Sequence, residues 1–215
     1  MQTPLNLVVL ISGNGSNLQA LIDAQATSHY RVVKVVSNRP DAYGLKRAQQ
    51  HGIATETIDH QNFPDRESFE QALIKAIDPA QPGLVVLAGF MRILTPAFTG
   101  HYLGKMLNIH PSLLPKYPGL HTHKRALESG DTEHGLSIHF VTDELDGGPV
   151  ILQAKTPVNT HDTEDSLKQK VHELEHQAYP KAVELFACGN IHFTNHQAWW
   201  LDQPLTTPLQ LEDLN

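Results

Sequence analysis

The stretch Leu5-Asn6-Leu7-Val8-Val9-Leu10-Ile11-Ser12-Gly13-Asn14-Gly15-Ser16-Asn17-Leu18 decides the fold. Leu5 to Ile11 is apolar apart from Asn6, and a short continuous apolar run is the mark of a strand buried on both faces. Ser12 to Ser16 is a turn. Asn17 to Ala26 then carries Leu18, Leu21 and Ile22 at helical spacing. A buried strand, a glycine turn and a helix make the opening unit of a parallel sheet.

The unit repeats along the chain. Val32 to Val36 reads as a second strand, Tyr43 to Gln50 as a helix closed by Gly52, and Ala54 to Ile58 as a third strand. Asp65 to Ile77 reads as a helix with Asp65 as its N-cap. Leu84 to Ala88 is a fourth strand, apolar enough to be central. A short helix follows Pro96, and Lys105 to His110 is the fifth strand. This alternation predicts a doubly wound, mostly parallel, Rossmann-like α/β sheet. Beyond residue 110 the pattern changes. Leu136 to Val141 and Val150 to Val158 are strands joined by Thr142 to Pro149 with no long helix between them, so an antiparallel pair is expected. Thr163 to Cys188 reads as a long C-terminal helix interrupted at Pro180. From about Gln203 the chain is rich in Pro, Thr and Leu and reads as a loosely ordered tail. One domain is expected over residues 1–215, in two halves of about 5–110 and 111–201 and a tail of about 203–215. No internal repeat or low-complexity tract is present.

Composition narrows the function classes. The 215 residues suffice to bury a full core. A net charge of -7 argues against non-specific binding to nucleic acid or an anionic membrane, though not against a local basic pocket. The single Cys188 forms no internal disulfide, which predicts a reducing cytoplasmic setting. Met1-Gln2-Thr3-Pro4 carries no basic segment leading into a long apolar core, so no signal peptide is expected. No run approaches a membrane span in length.

In an open parallel sheet, ligands bind beyond the carboxyl ends of the strands. Three segments fall there. Gly13-Asn14-Gly15-Ser16-Asn17 follows the first strand, where glycines permit close backbone approach and free helix-start amides favour a phosphate. Leu18 stands where a dinucleotide fingerprint needs a small residue, and the lysine of an ATP-type loop is missing, so a single phosphate monoester fits better. The alternative is a tight turn with an Asn or Ser cap. Gly89-Phe90-Met91-Arg92 follows the fourth strand. Asn108 and His110 end the fifth, two apart and therefore on one face. An amide and an imidazole there suit oxyanion stabilisation and proton transfer; the alternative is a polar strand end. Pro111 and Pro115 then stop the strand.

Five further features are weighed for chemistry. Asp146 lies in an acidic, glycine-rich loop, and if that loop folds over the sheet end it can pair with His110, favour the imidazolium and orient the ring. Arg66 places a cation in a first helical turn, against the dipole, as a ligand contact would require; the alternative is an exposed arginine. Glu175 falls within the apolar stripe Leu167, Val171, Leu174, Ala178, Ala182 and Leu185, where a carboxylate needs a partner such as a ligand amine or hydroxyl, or else an edge position that reaches water. His121-Thr122-His123, with His110 and Asp146, is a weak metal pattern. Cys188 reads as a packing residue.

Residues Ile11 to Ala20, Leu87 to Leu94, Asn108 to Pro115 and Asp143 to Gly148 together closely resemble the phosphoribosylglycinamide formyltransferases, the folate-dependent glycinamide ribonucleotide transformylases of purine biosynthesis. The resemblance runs from about Leu7 to Leu201. The Asn108, His110-to-Pro115 and Asp146 elements resemble those of the wider folate-dependent formyltransferases, whereas the Gly13-to-Asn17 loop is more particular to the glycinamide ribonucleotide branch. The resemblance implies Asn108, His110 and Asp146 as the catalytic trio. It implies Gly15, Ser16, Asn17, Leu18, Gln19, Arg66, Asn108 and Glu175 as contacts to glycinamide ribonucleotide. It implies Met91, Arg92, Ile93, Leu94, Thr142, Asp143, Glu144, Leu145 and Asp146 as the folate pocket, with 10-formyltetrahydrofolate as co-substrate and no metal. The first half then binds the nucleotide phosphate and the second carries folate and catalysis, in a cytoplasmic monomer or weak homodimer without nucleic-acid or membrane partners. The expected reaction is direct formyl transfer through a tetrahedral oxyanion. Rivals are a methionyl-tRNA formyltransferase, which needs a further domain and a basic surface; a formyltetrahydrofolate hydrolase, which carries an N-terminal regulatory domain; a non-catalytic folate or nucleotide sensor; and a zinc hydrolase.

Overall fold

The computed structural model describes residues 3–214; Met1 and Gln2 of the N-terminal stretch and Asn215 of the tail lie outside the described residues. Its first strand, β1 (Leu5–Ile11), is flanked by β2 (Tyr30–Ser37) and β4 (Leu84–Leu87), with β3 (Ala54–Thr57) beyond β2 and β5 (Met106–His110) beyond β4. All five run parallel. β6 (Glu133–Phe140) pairs antiparallel with β5, β7 (Val150–Pro157) antiparallel with β6, and β11 (Leu209–Gln210) parallel with β7. The sheet order is β11-β7-β6-β5-β4-β1-β2-β3. Chain direction across the sheet reverses between β1 and β4, the switch point at which such sheets open a crevice.

The parallel strands are buried on both faces because helices cover both. On one side α1 (Ser16–Ala24), α2 (Tyr43–Gln50) and α6 (Glu164–Ala187) pack Leu18, Leu21, Leu45, Ala48, Val171 and Ala182 against Leu7, Val9 and Ile11. On the other, α3 (Arg66–Ile77) and α4 (Pro96–His101) pack Phe69, Leu73, Ile77 and Phe98 against Val8, Leu10 and Val85. Alternate residues of one strand thus feed two cores, which is why the run reads as continuously apolar rather than alternating. Asp65 caps α3 as expected, accepting from Ser68 N–H at 2.7 Å.

Three expectations need correction. Pro180 does not interrupt the long helix: α6 runs unbroken from Glu164 to Ala187. A proline removes one backbone bond to the preceding turn, but Ala178, Tyr179, Ala182 and Val183 on either side are fully buried and hold the helix together. The tail is placed rather than loose. β10 (Gln203–Pro204) pairs with β9 (Gln197–Trp200), β11 adds to the main sheet, and Leu211 is buried. Cys188 is exposed at the C-cap of α6 and is not a packing residue. The short helix α5 (Thr122–Glu128) and the small antiparallel sheet of β8 (Ile191–Thr194), β9 and β10 are additions to the sequence reading. Among the described residues no helix is long and apolar enough to cross a membrane.

Candidate active site

The loop after β1 is built around Gly15, the N-cap of α1, at φ +74° with no side-chain cap. The expected alternative, an Asn or Ser cap, is therefore not what occupies the helix start, and the first amides of α1 are left to face outward. Gly15 is required twice over. Its φ is left-handed, and a Cβ there would stand 2.7 Å from the Cα of Gly44 on α2. From α2, Arg47 donates to the Asn14 carbonyl (2.9 Å) and side-chain oxygen (3.0 Å), bringing a cation to the loop. Asn17 and Leu18 are buried, and Leu18 lies wholly in the core, so only its backbone can reach a ligand. Gln19 bonds Asp23 and Arg47. Asn17 donates its amide to Glu175 at 2.9 Å, while the Asn17 side-chain oxygen is buried without a partner. Glu175 is itself 5% exposed. Burial pushes its carboxyl up to about 7, with the Asn17 bond and the charge of Lys168 opposing. Arg66 stands exposed at the first turn of α3 and, among the described residues, makes no hydrogen bond or ion pair with this loop.

The segment after β4 crosses to the same end of the sheet. Ser12 N–H donates to the Gly89 carbonyl (3.1 Å), and the Ser12 hydroxyl accepts from Met91 N–H (2.8 Å) while donating to Asn38 (2.6 Å). One serine thus locks the first loop to the fourth. Thr95 N–H and hydroxyl both donate to buried Glu70, fixing the far end of the segment. Between these anchors a cleft opens, walled by Arg92, Ile93 and Leu94 on one side and Thr142 to Asp146 on the other, with Asn108 and His139 at its floor. Met91, at 69% exposed, stands outside the wall, with Ile93 and Leu145 as further exposed apolar side chains at its rim. Arg92 Nε is buried and, among the described residues, unpartnered.

The expected trio comes together at the end of β5. Asp146 carries φ +51°, a left-handed conformation that aspartate tolerates better than most residues. It aims its carboxylate inward, where it accepts from Gly119 N–H (2.8 Å) and stands 3.4 Å from His110 Nδ1 and 3.7 Å from His139 Nε2. Burial works to raise this carboxyl, but the His139 contact, the Gly119 bond and the two imidazoles together hold it below its ordinary value. His110 donates Nε2–H to the Tyr117 carbonyl at 2.9 Å. Burial lowers the His110 imidazole and outweighs the Tyr117 bond and Asp146, both of which favour the imidazolium, Asp146 in the sense expected of it. His110 Nδ1 faces the Asp146 carboxylate, the partner that would stabilise a proton there.

His139 was missed from sequence. It faces Asn108 across the β5–β6 register, and its Nε2 lies 3.1 Å from the Asn108 amide nitrogen. Its Nδ1 donates to the Phe140 carbonyl at 2.8 Å, so in the neutral ring Nε2 accepts from Asn108. That choice requires Asn108, which lines the cleft, to present its NH₂ to His139. Only the pairing of strands 31 residues apart brings them together, which a one-strand reading does not supply. The metal pattern from sequence does not assemble. His123 is buried against His134 (3.1 Å) and pushed down to about 4 by burial and that neighbour, whereas His121 is exposed at the start of α5.

The family model for formyl transferases matches residues 5–183, most of the chain. The chain belongs to the formyl transferase family. Within this family it is 59% identical over 197 residues to the phosphoribosylglycinamide formyltransferase of Escherichia coli, covering 91% of this chain and 93% of that one. It is 48% identical over 187 residues to the trifunctional purine biosynthetic protein adenosine-3 of Drosophila melanogaster, covering 85% of this chain but 14% of that longer protein. The phosphoribosylglycinamide formyltransferase structure of Coxiella burnetii superposes with a TM-score of 0.93 at 54% identity, over 96% of this chain and 99% of that one.

Proposed function

We propose that this formyl transferase moves the formyl group of 10-formyltetrahydrofolate to the amine of phosphoribosylglycinamide, as a step in making the purine ring. The observation that carries the reading is that Asn108, His110 and Asp146 meet at the end of β5, with Asn108 and Asp146 lining an apolar-rimmed cleft and the glycine loop after β1 at the same end of the sheet. Of the three buried side-chain atoms without a hydrogen-bond partner among the described residues, two lie here, the Asn17 oxygen beside the loop and Arg92 Nε beside the groove, and they support it.

In this mechanism the phosphate rests on the amides of Gly15 to Leu18, with Asn17 and Glu175 taking hydroxyl or amine groups of the same ligand, and Arg66 assigned to it as well. The folate lies along Met91 to Leu94 and Thr142 to Asp146. The neutral amine attacks the formyl carbon, and the C=O electrons move to the oxygen. Asn108 donates its second amide hydrogen to that oxyanion, oriented by His139. The ammonium that forms gives its proton toward neutral His110, whose imidazolium is stabilised by the Asp146 carboxylate, and a proton is returned to the folate nitrogen as its bond to carbon breaks. Collapse of the oxyanion leaves the new formamide and tetrahydrofolate. No covalent enzyme intermediate is required.

The test is a spectrophotometric assay of tetrahydrofolate formation from 10-formyltetrahydrofolate with and without phosphoribosylglycinamide. Product only in its presence is expected; equal turnover without it would indicate hydrolysis instead. Asn108→Ala should lose about 10²–10³-fold in kcat with KM little changed, the usual cost of one oxyanion donor. A loss confined to KM would remove Asn108 from this role.

A further inference from the structure

Glu184 and Cys188 stand one turn apart at the C-terminal end of α6, and His29 immediately precedes β2. Glu184 Oε1 lies 2.6 Å from His29 Nδ1, and the Cys188 sulfur lies 3.3 Å from each. Among the described residues, this is the one group of three His, Cys, Asp or Glu side chains whose donor atoms all come within 4.8 Å of one another. The other carboxylate oxygen, Oε2, accepts the main-chain N–H of His29 at 2.8 Å, so the backbone presets the orientation in which Oε1 faces the imidazole and the thiol. The cluster is separate from the cleft. His29 lies at the amino end of β2, whereas the site loops leave the carboxyl ends of β1, β4 and β5.

We propose that His29, Glu184 and Cys188 form a zinc site with three protein ligands and a solvent-filled fourth position. The donor set of one sulfur, one nitrogen and one carboxylate oxygen suits Zn²⁺, whereas a thiolate disfavours Mg²⁺ and Ca²⁺. Tetrahedral zinc with bonds of about 2.0–2.3 Å sets neighbouring donors roughly 3.3–3.7 Å apart. Both sulfur separations already lie at this spacing, and only the His29–Glu184 pair must open, by under about 1 Å. The His29 side chain is 58% exposed and free to make that movement, and the same exposure leaves the fourth position to water. Binding expels the Cys188 thiol proton to solvent and displaces the Nδ1 proton that His29 donates to Glu184, which passes through solvent to Nε2 or is released if Nε2 already carries one; no electron moves. The metal ties the end of α6 to the edge of β2, so it stabilises the folded chain over the unfolded one.

Metal uptake alone proves little in a chain with fourteen histidines, so the readout is sulfur-specific. The reduced, chelator-stripped full chain is titrated with Co²⁺ as a spectroscopic stand-in and then with Zn²⁺. Expected are a thiolate-to-cobalt charge-transfer band saturating near one equivalent, its bleaching by Zn²⁺, and protection of Cys188 from alkylation by Zn²⁺. Cys188→Ser should abolish the band, and His29→Gln should weaken binding roughly tenfold or more. Zn²⁺ should raise the Tm of the original chain and not that of Cys188→Ser, while formyl transfer by the metal-free variants stays unchanged. Should Cys188→Ser fold poorly, alkylated Cys188 in the folded chain replaces it. No charge-transfer band, or a band and affinity untouched by His29→Gln, overturns the site.

Discussion

Glu175 shows how a single residue points to the proposed site. Helical spacing alone places it among Val171 and Ala178 on an apolar face, and the fold buries it there with Asn17 as its hydrogen-bond donor. Its carboxyl, ordinarily near 4.5, is raised to about 7 because burial penalises the charged form more than Asn17 and Lys168 favour it. The folded state therefore holds this proton across a range where the unfolded chain releases it. The stabilisation is complete below about pH 4.5 and is lost as pH rises through about 7. Glu175→Gln keeps a neutral side chain of the same size at every pH. Urea unfolding of both proteins should show the variant gaining relative to the original chain by about 3 kcal/mol between pH 4.5 and 7, from roughly 1.36 kcal/mol per pKa unit. Parallel stability curves over that interval would mean that Glu175 titrates normally. The same substitution should raise KM for the ribonucleotide above about pH 7, where Gln cannot supply the ionised carboxylate acceptor that the reading needs. Glu175 was legible because its anomaly lies within one helix. His139 was not: its role depends on register with Asn108, and nothing within Leu136 to Val141 marks it as more than one polar position on a strand.

The element that carries Glu175 must begin at a fixed point for the residue to face Asn17. α6 begins with a reciprocal cap. Ser166 N–H donates to the Thr163 hydroxyl (3.2 Å), and Thr163 N–H donates to the Ser166 hydroxyl (3.0 Å). Glu164 and Asp165 add negative charge where the helix dipole favours it. Further along, Tyr179 shares its hydroxyl hydrogen between the Leu87 carbonyl (2.9 Å) and the Leu107 carbonyl (3.1 Å), pinning α6 to β4 and β5 just before the site loops. These anchors explain why Pro180 leaves the helix continuous. Its local penalty was legible in the sequence, whereas the compensating burial of its neighbours was not. Thr163→Ala removes one half of the cap and should cost about 1 kcal/mol in urea unfolding. Because Tyr179 fixes the helix independently, kcat should stay within about twofold, since the cap donates nothing to the cleft. A large loss of turnover at unchanged stability would show that the start of α6 reaches the site directly.

At the scale of the whole molecule, one sheet joins a parallel half to an antiparallel half, and the groups proposed for catalysis sit on the seam. Asn108 and His110 end the last parallel strand, while His139 and the Asp146 loop belong to the first antiparallel hairpin. The parallel half was readable strand by strand, because strand–helix alternation leaves its period in the local sequence. The far edge was not. Leu209–Gln210 is two residues long, and its pairing with β7 rests on contacts with Leu152 and Gln153 that no local pattern announces. Pro, Thr and Leu in the tail read as disorder only while the exposed edge of β7 is out of view. That edge is what the tail covers: Leu211 is buried, and Leu205 and Leu209 pack against the main core. Ending the chain after Pro204 should therefore lower stability by about 2 kcal/mol, the scale of one well-buried leucine. It should also expose the unpaired edge of β7 and bring concentration-dependent self-association, seen by sedimentation. Turnover per folded molecule should persist, because two strands, β7 and β6, separate the tail from β5. An unchanged urea midpoint without association would show that the tail rests on the sheet without stabilising it, and a loss of kcat in the folded fraction would show that the edge of β7 communicates with the seam.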